Sequence, residues 1–342
     1  MIFAFIVLIT VLSIVFTWSN GFQHASAVAA TALGSHSMTR PKAVLLIFLF
    51  EIAGAMFGGS AVADVVRSLS KWPEEPSLLP ILSSALVAAI LWNFIARKVK
   101  MPASSTHALL GGMIGALMAA ANGLRCVELG SLDLLHPTGV LGAVVSLFLS
   151  PLLGFAVAYI LYNLSILLSL QADNGINRAF KELQFCTTAM LAFGDGQNDT
   201  QKTMGLMVLA LDASGYSVGS DIPLWVRAMI AVAMGTGAFF ISPGVVTELA
   251  RHVYKLSKLH AFVAETSGAA VLILNSLIGG PVSSSQVIAA SIVGGAVPQR
   301  LRGVHWQVVR NILLSWLVTI PTVGLLAAII YGGIFRWFGS PS

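Results

Sequence analysis

The sequence predicts an all-α polytopic membrane protein made of two inverted-topology repeats, with broken or re-entrant helices and about 10–12 membrane segments. Three observations predict it. The 342 residues are 56% hydrophobic and only 10% charged, with a mean hydropathy of +0.86, whereas soluble domains carry about 25% charged residues. Apolar runs of membrane-spanning character recur along the whole chain. Two unusual polar segments, set amid apolar sequence, each occur twice in the same order.

The same arithmetic excludes other classes. Two cysteines in 342 residues do not make a disulfide scaffold. Apolar residues are too abundant for a disordered chain. The isoelectric point near 9.4 does not signal nucleic acid, because the basic residues are scattered between hydrophobic runs, where they set topology.

Taken in order, the apolar runs read as helices at roughly 2–18, 43–66, 78–96, 108–122, 138–168, 186–212, 225–241, 261–278, 282–297 and 307–335. The first lacks a basic n-region and is followed by further runs, so it reads as a span and not as a cleavable signal. The runs near 186–212 and 282–297 are interrupted or short. Residues 171–184 turn polar (Gln171, Asp173, Asn174, Asn177, Arg178, Lys181, Glu182) and form the expected linker between a first repeat, 1–170, and a second, 185–342.

Alternating these spans with the N-terminus outside places thirteen basic residues, from Arg40 to Arg310, on the inside. Five fall outside: Arg67, Lys71, Arg125, Arg227 and Arg336. This is a positive-inside bias. Both termini are therefore predicted outside, in a multi-pass protein of a bacterial-type plasma (inner) membrane.

The duplicated segments are Asn20-Gly21-Phe22-Gln23-His24 with Asp195-Gly196-Gln197-Asn198-Asp199, and Pro102 to His107 with Pro281 to Gln286. The repeat unit spans 175–179 residues. Five spans per half turn the second copy upside down, the inverted repeat of secondary transporters, whose sites lie at the midplane where helices break. Each of the four segments is expected to be such a break.

Proline opens a helix well. Ser104, Ser105 and Thr106, and then Ser283, Ser284 and Ser285, add hydroxyls to the free N–H groups of a helix N-terminus, which suits an anion. Two such ends facing each other would clasp a tetrahedral oxyanion. Gln201 is assigned to the same anion. Asp195, Asn198 and Asp199, with Asn20, Gln23 and His24 from the first half, form the expected centre for a coupling cation or proton. Intramembrane charges are costly and mark function. The oxygens of Asn198 and Asp199 suit Na⁺ as a hard cation. An Asp199–Lys202 ion pair that only braces the helix is the alternative. Glu51 and Glu265 are read as groups paired within the bundle. Gly54, Gly58, Gly59, Gly111, Gly112 and Gly115 are read as small-residue contacts.

At these residues the chain resembles the inorganic phosphate transporter (PiT) family over essentially its whole length. The family's Asn-Gly-x-x-Asp-x-x-Asn-x-x-Ala-Thr signature is kept at Asn20, Gly21, Ala30 and Thr31. Its Pro-x-Ser-Ser/Thr-Ser/Thr-His signature resembles Pro102 to His107. Its Gly-Ala-Asn-Asp-x-Gln-Lys signature resembles Gly196 to Lys202. Ala264-Glu265, Pro281 to Ser285, and the Trp306, Trp316, Thr319-Ile320-Pro321 ending follow in the family order. Three positions depart: the family Asp is His24, its following Asn is Ala27, and Gln286 replaces the His or other residue after the second serine cluster.

The resemblance implies a symporter, not an enzyme, that moves inorganic phosphate by alternating access down a cation gradient of H⁺ or Na⁺, with no cofactor. The expected partners are phosphate, free or as a metal–phosphate complex, and the lipid bilayer, without nucleic acid; a homodimer is compatible with the sequence. Sulfate or another tetrahedral oxyanion is the alternative cargo. Because histidine titrates near neutral pH, His24 is expected to make transport proton-linked or pH-sensitive.

Overall fold

A computed structural model of the chain describes residues 2–69, 77–99, 104–121, 127–131, 138–169, 176–216, 219 and 221–335. Pro102, Lys71, Lys100, Arg125, Arg336 and the 171–175 part of the expected linker lie outside the described residues. The first half contains α1 (Ile2–Gly34), α2 (Arg40–Phe57), α3 (Ala61–Arg67), α4 (Leu78–Lys98), α5 (Ser105–Ala121) and α6 (Gly139–Ser169). The second contains α7 (Ile176–Ala213), α8 (Leu224–Gly237), α9 (Pro243–Thr247), α10 (Lys258–Leu277), α11 (Ser284–Arg300) and α12 (Trp306–Ile330). Among the described residues there is no named β-strand, and the one isolated bridge joins Ser131 to Thr138.

The element order of one half repeats in the other, and so do the packing partners. α7 packs on α2 as α1 packs on α8; α12 packs on α5 as α6 packs on α11. Glycines make the first of these crossings possible. A Cβ on Gly21 would lie 2.1 Å from the Met234 carbonyl oxygen, and one on Gly196 would lie 2.2 Å from that of Glu51.

Two apolar cores flank a polar middle. Phe5, Ile9 and Phe16 of α1 share one core with Met204 to Ala213 of α7, while Ala25 to Ala30 share the other with Leu191 and Ala192. The start of α1 therefore lies with the end of α7. These equivalent helices run antiparallel, the geometry an inverted repeat demands.

Among the described residues, Ile2–Gly34, Leu78–Lys98, Gly139–Leu168 and Trp306–Gly333 are long and apolar enough to cross a membrane. Two bent pairs, Arg40–Phe57 with Ala61–Arg67 and Leu224–Phe240 with Pro243–Val253, raise the number to six. The outside is apolar, with Leu152 66% and Leu325 65% exposed, while Asp195 and Lys202 are buried. That is the reverse of a water-soluble fold.

Two of the four expected breaks hold, at the starts of α5 and α11, and the other two fall elsewhere. Helices α1 and α7 run unbroken through Asn20–His24 and Asp195–Asp199, because intrahelical bonds satisfy the backbone there and lipid offers no substitute. The bends, 67° and 71°, sit at Gly58–Ser60 and at Ile241–Ser242. Gly59 adopts φ +87° with open space around it, so it turns the chain and makes no close contact. Pro243 opens α9 and holds Ser242 extended.

The opened backbone is repaired from the equivalent helices. Gln197 and Gln201 of α7 donate to the Gly58 carbonyl at 2.8 and 2.9 Å, and Gln201 accepts the Val62 N–H at 2.9 Å. At the other bend the Ser242 N–H donates to Ser26 Oγ of α1 at 2.8 Å. Ser26 and Gln201 are repeat equivalents, 175 positions apart.

Candidate functional site

The site forms where the middles of α1 and α7 meet the first turns of α5 and α11. Ser104 begins the α5 turn, and its Oγ accepts the His107 N–H at 3.1 Å. Ser283 holds the equivalent position before α11. Pro281 lies two residues ahead of Ser283, which is extended before the first turn, and so is not itself in that turn. Ser104, Ser105, Thr106, Ser283, Ser284 and Ser285 are all buried.

The two helix starts touch. Thr106 Oγ1 donates to the Val282 carbonyl at 3.0 Å. The Gln286 amide lies 3.3 Å from the His107 ring nitrogens. His107 and Gln286 are repeat equivalents, so the pseudo-twofold axis passes between them.

Lys202 reaches this junction from α7. Its Nζ donates to Thr106 Oγ1 at 2.6 Å and to the Val282 carbonyl at 2.5 Å. It also pairs with Asp199 Oδ1. The ion pair is present, yet the lysine does more than brace α7: it sets a positive charge between two helix N-termini. N–H groups, hydroxyls and an ammonium together are an anion-binding chemistry.

On the other side of Lys202 lies an acidic centre. His24 Nε2 is 2.8 Å from Ser105 Oγ. Its Nδ1 is 3.2 Å from Asp199 Oδ2 and 3.9 Å from Asp195 Oδ1. Glu51 of α2 faces Asp195, and the Ser284 hydroxyl lies beside Asp195. His24, Asp195, Asp199 and Glu51 are at most 1% exposed.

The remaining expected residues act on neighbouring backbone and side chains. Asn198 donates to Ser276 Oγ at 2.9 Å and to the Gly280 carbonyl at 3.2 Å, and accepts the Val282 N–H at 3.3 Å. It braces the α10–α11 connection, with its oxygen already engaged. Gln201 holds the α2–α3 bend. Asn20 accepts from Asn93 at 2.8 Å, and Gln23 is buried one turn away on α1. Glu265 lies apart, taking a hydrogen bond from Thr187. A cavity of about 480 Å³ between α6, α11 and α12 is lined by apolar side chains and meets the polar centre only at His107 and Gln286.

Sequence reasoning left Lys202 and Glu51 out of the site. Their signal was present, since each is a charge in an apolar run. What was not visible is that α2 crosses α7 at Gly54 and Gly196, which carries Glu51 to Asp195.

A family model described as the phosphate transporter family matches residues 20–175 and 167–327. A probable low-affinity inorganic phosphate transporter of Bacillus subtilis (strain 168) is 30% identical over 333 residues, covering 95% of this chain and 96% of that one. A protein of the same description from Rhizobium meliloti (strain 1021) is 30% identical, with 96% of each covered. A solved structure titled the sodium-dependent phosphate transporter superposes with a TM-score of 0.82 at 22% identity, covering 97% and 99% of the two chains.

Proposed function

The chain belongs to the phosphate transporter family, and from that premise we propose that it is a secondary active symporter of inorganic phosphate, driven by an H⁺ or Na⁺ gradient. It is a multi-pass integral membrane protein. In the proposed orientation both termini face outward in a bacterial-type inner membrane.

One observation carries the reading: the first turns of α5 and α11 converge on Lys202 with their hydroxyls buried. Phosphate binds between Ser104–Thr106 and Ser283–Ser285. The backbone N–H groups and Lys202 meet its charge, and the hydroxyls orient it. The acidic centre of His24, Asp195 and Asp199 attracts the coupling cation. Anion and cation then offset each other's charge, so each binds better in the other's presence, a reciprocal coupling. Rocking of one repeat-derived bundle against the other changes the side to which the site opens.

Phosphate is favoured over sulfate by the carboxylates. A buried carboxylate accepts a P–OH proton, whereas it only repels fully ionised sulfate. The relatives with this description and the sodium-dependent structural neighbour support the same assignment.

The test is ³²P-phosphate uptake into proteoliposomes of the purified protein, with H⁺ and Na⁺ gradients imposed separately and unlabelled sulfate as competitor. Gradient-driven accumulation that resists sulfate is expected. Displacement by excess sulfate would reassign the cargo, and downhill flux that neither gradient drives uphill would make the protein a passive pore.

A further inference from the structure

We infer that the apolar cavity between α6, α11 and α12 seats one acyl chain of an anionic phospholipid, whose headgroup phosphate rests against Arg302 and Arg310. The ligand is a component of the bilayer and not cargo, so the inference stands apart from the transport cycle.

The cavity is a slot of chain-like proportions. It encloses about 480 Å³, within the range of about 300–1,000 Å³ that suits a small apolar ligand. Its α12 wall is Trp306, Val309, Leu313 and Leu317, spaced by three and four residues along one face. From Trp306 to Leu317 the helix rises about 16 Å, and one leaflet of bilayer hydrocarbon is about 15 Å deep, half of the core. Both ends are defined. Trp306 is exposed at the start of α12, and its Nε1 donates to the Leu301 carbonyl at 3.1 Å, the arrangement of a tryptophan at a membrane surface. At the other end His107 and Phe148 meet edge to face, 6.3 Å apart, beside Gln286. The slot thus runs from one membrane surface to the depth at which the two repeats join.

The sequence leaves this space open. The α11 wall presents only Ala289 and Ala290 between Gln286 and Val293. Opposite, α6 carries Pro151, whose missing N–H frees the Leu147 carbonyl, and Ser150 Oγ donates to that carbonyl at 3.4 Å. Phe148 and Leu152 on α6, and Leu313 and Leu317 on α12, line the slot and are exposed, so it opens sideways on the lipid face. Apolar walls without a neighbour forfeit dispersion contacts, and in a bilayer an acyl chain is the molecule that supplies them.

Charge identifies the headgroup. Arg310 lies one turn beyond Trp306 on the face of α12 that carries Leu313 and Leu317, and it is exposed. A charge facing lipid at that depth is costly unless it is paired or reaches the surface. Among the described residues neither Arg310 nor Arg302 makes an ion pair or hydrogen bond. The π-helical turn Glu248–Val253 supplies Val253 to the lining and adds Arg251, and α11 ends in Arg300. The acid of that turn, Glu248, already meets His252 Nδ1 at 2.8 Å. The His305 N–H donates to the Val253 carbonyl at 3.1 Å, which joins the turn to the start of α12. A basic pocket between membrane helices recognises an anionic headgroup, whereas a zwitterionic headgroup would bring an ammonium toward these arginines.

The experiment uses the purified, delipidated full chain. Native mass spectrometry counts bound phosphatidylglycerol and phosphatidylcholine of equal chain length, and phosphatidylglycerol with brominated chains reports contact by quenching tryptophan fluorescence. One phosphatidylglycerol per chain is expected, held at least tenfold more tightly than phosphatidylcholine. The quenching should fall in a variant carrying Trp306→Phe and Trp316→Phe, since both tryptophans line the slot. Ala290→Phe fills the slot and should cut phosphatidylglycerol occupancy at least tenfold. Arg302→Gln with Arg310→Gln should bring the two lipids to equal affinity. Wild-type protein that binds both lipids equally, or quenching that survives the two Trp→Phe changes, would overturn the site. So would an Ala290→Phe variant that dissociates a dimer yet keeps its lipid, which would make this face an interface between copies of the chain. The wild-type lipid comparison decides the matter even if a variant does not fold.

Discussion

The Thr106 hydroxyl donates to the Val282 carbonyl across the junction of the two repeats, 3.0 Å apart, and Lys202 donates to both. One ammonium thus ties together the two helix starts that face the proposed anion. Removing it leaves Asp199 buried without its cation. Breaking one partner of a buried pair costs about 3–5 kcal/mol. Lys202→Met is therefore expected to lower the unfolding temperature and cut phosphate uptake at least tenfold. Lys202→Arg should not restore uptake, because a planar fork does not replace a compact three-donor group. Thermal unfolding in detergent and proteoliposome flux check both.

Ser284 makes no hydrogen bond of good geometry, whereas Ser83 bonds the Leu79 carbonyl of its own helix at 2.9 Å. Both are buried. Ser284→Ala should raise the KM for phosphate with little change in stability. Ser83→Ala should leave uptake unaltered. Equal KM values for the two variants would remove Ser284 from the site.

Gly21 and Gly196 have no room for a methyl group, since the nearest atoms are backbone carbonyls of the crossing helix. Overpacking costs about 1–3 kcal/mol. Gly21→Ala and Gly196→Ala are expected to lose folded yield and thermal stability, while Gly332→Ala, with nothing within 4 Å, stays neutral. Size-exclusion profiles and unfolding curves measure this.

Asn198→Ala removes two donations and exposes the need of the Val282 N–H for an acceptor. Each unsatisfied buried group costs about 1–3 kcal/mol. The expected outcome is a destabilised protein whose phosphate KM rises because the α11 start shifts. An unchanged KM with reduced stability would confine Asn198 to a purely structural role.

Much of this was legible in the sequence. The duplicated Ser clusters announced both helix starts, and the repeat offset paired His24 with Asp199 and His107 with Gln286. Those pairs do meet in space. The positions of the breaks were not legible from polarity, because Asn, Gln and Asp in mid-helix leave the backbone ladder intact and spend their side chains on other helices. Gly58-Gly59-Ser60 and Ser242-Pro243 carried the true punctuation. The roles of Asn198 and Gln201 were hidden for a related reason: an amide serves a ligand and a broken backbone equally well, and only the neighbours decide.

The His107–Gln286 contact has a consequence for how the molecule rests. Were the two halves identical in sequence, exchanging their conformations would turn the outward-open form into an inward-open one of equal energy. The pseudo-twofold axis would make the two forms degenerate. Here the axis passes between an imidazole and an amide at His107–Gln286, and between an imidazole and a carboxylate at His24–Asp199. Under the proposed alternating-access cycle, mismatched side chains at the very positions that must match lift that degeneracy, and the chemistry of two residue pairs then sets which side of the membrane the empty carrier faces.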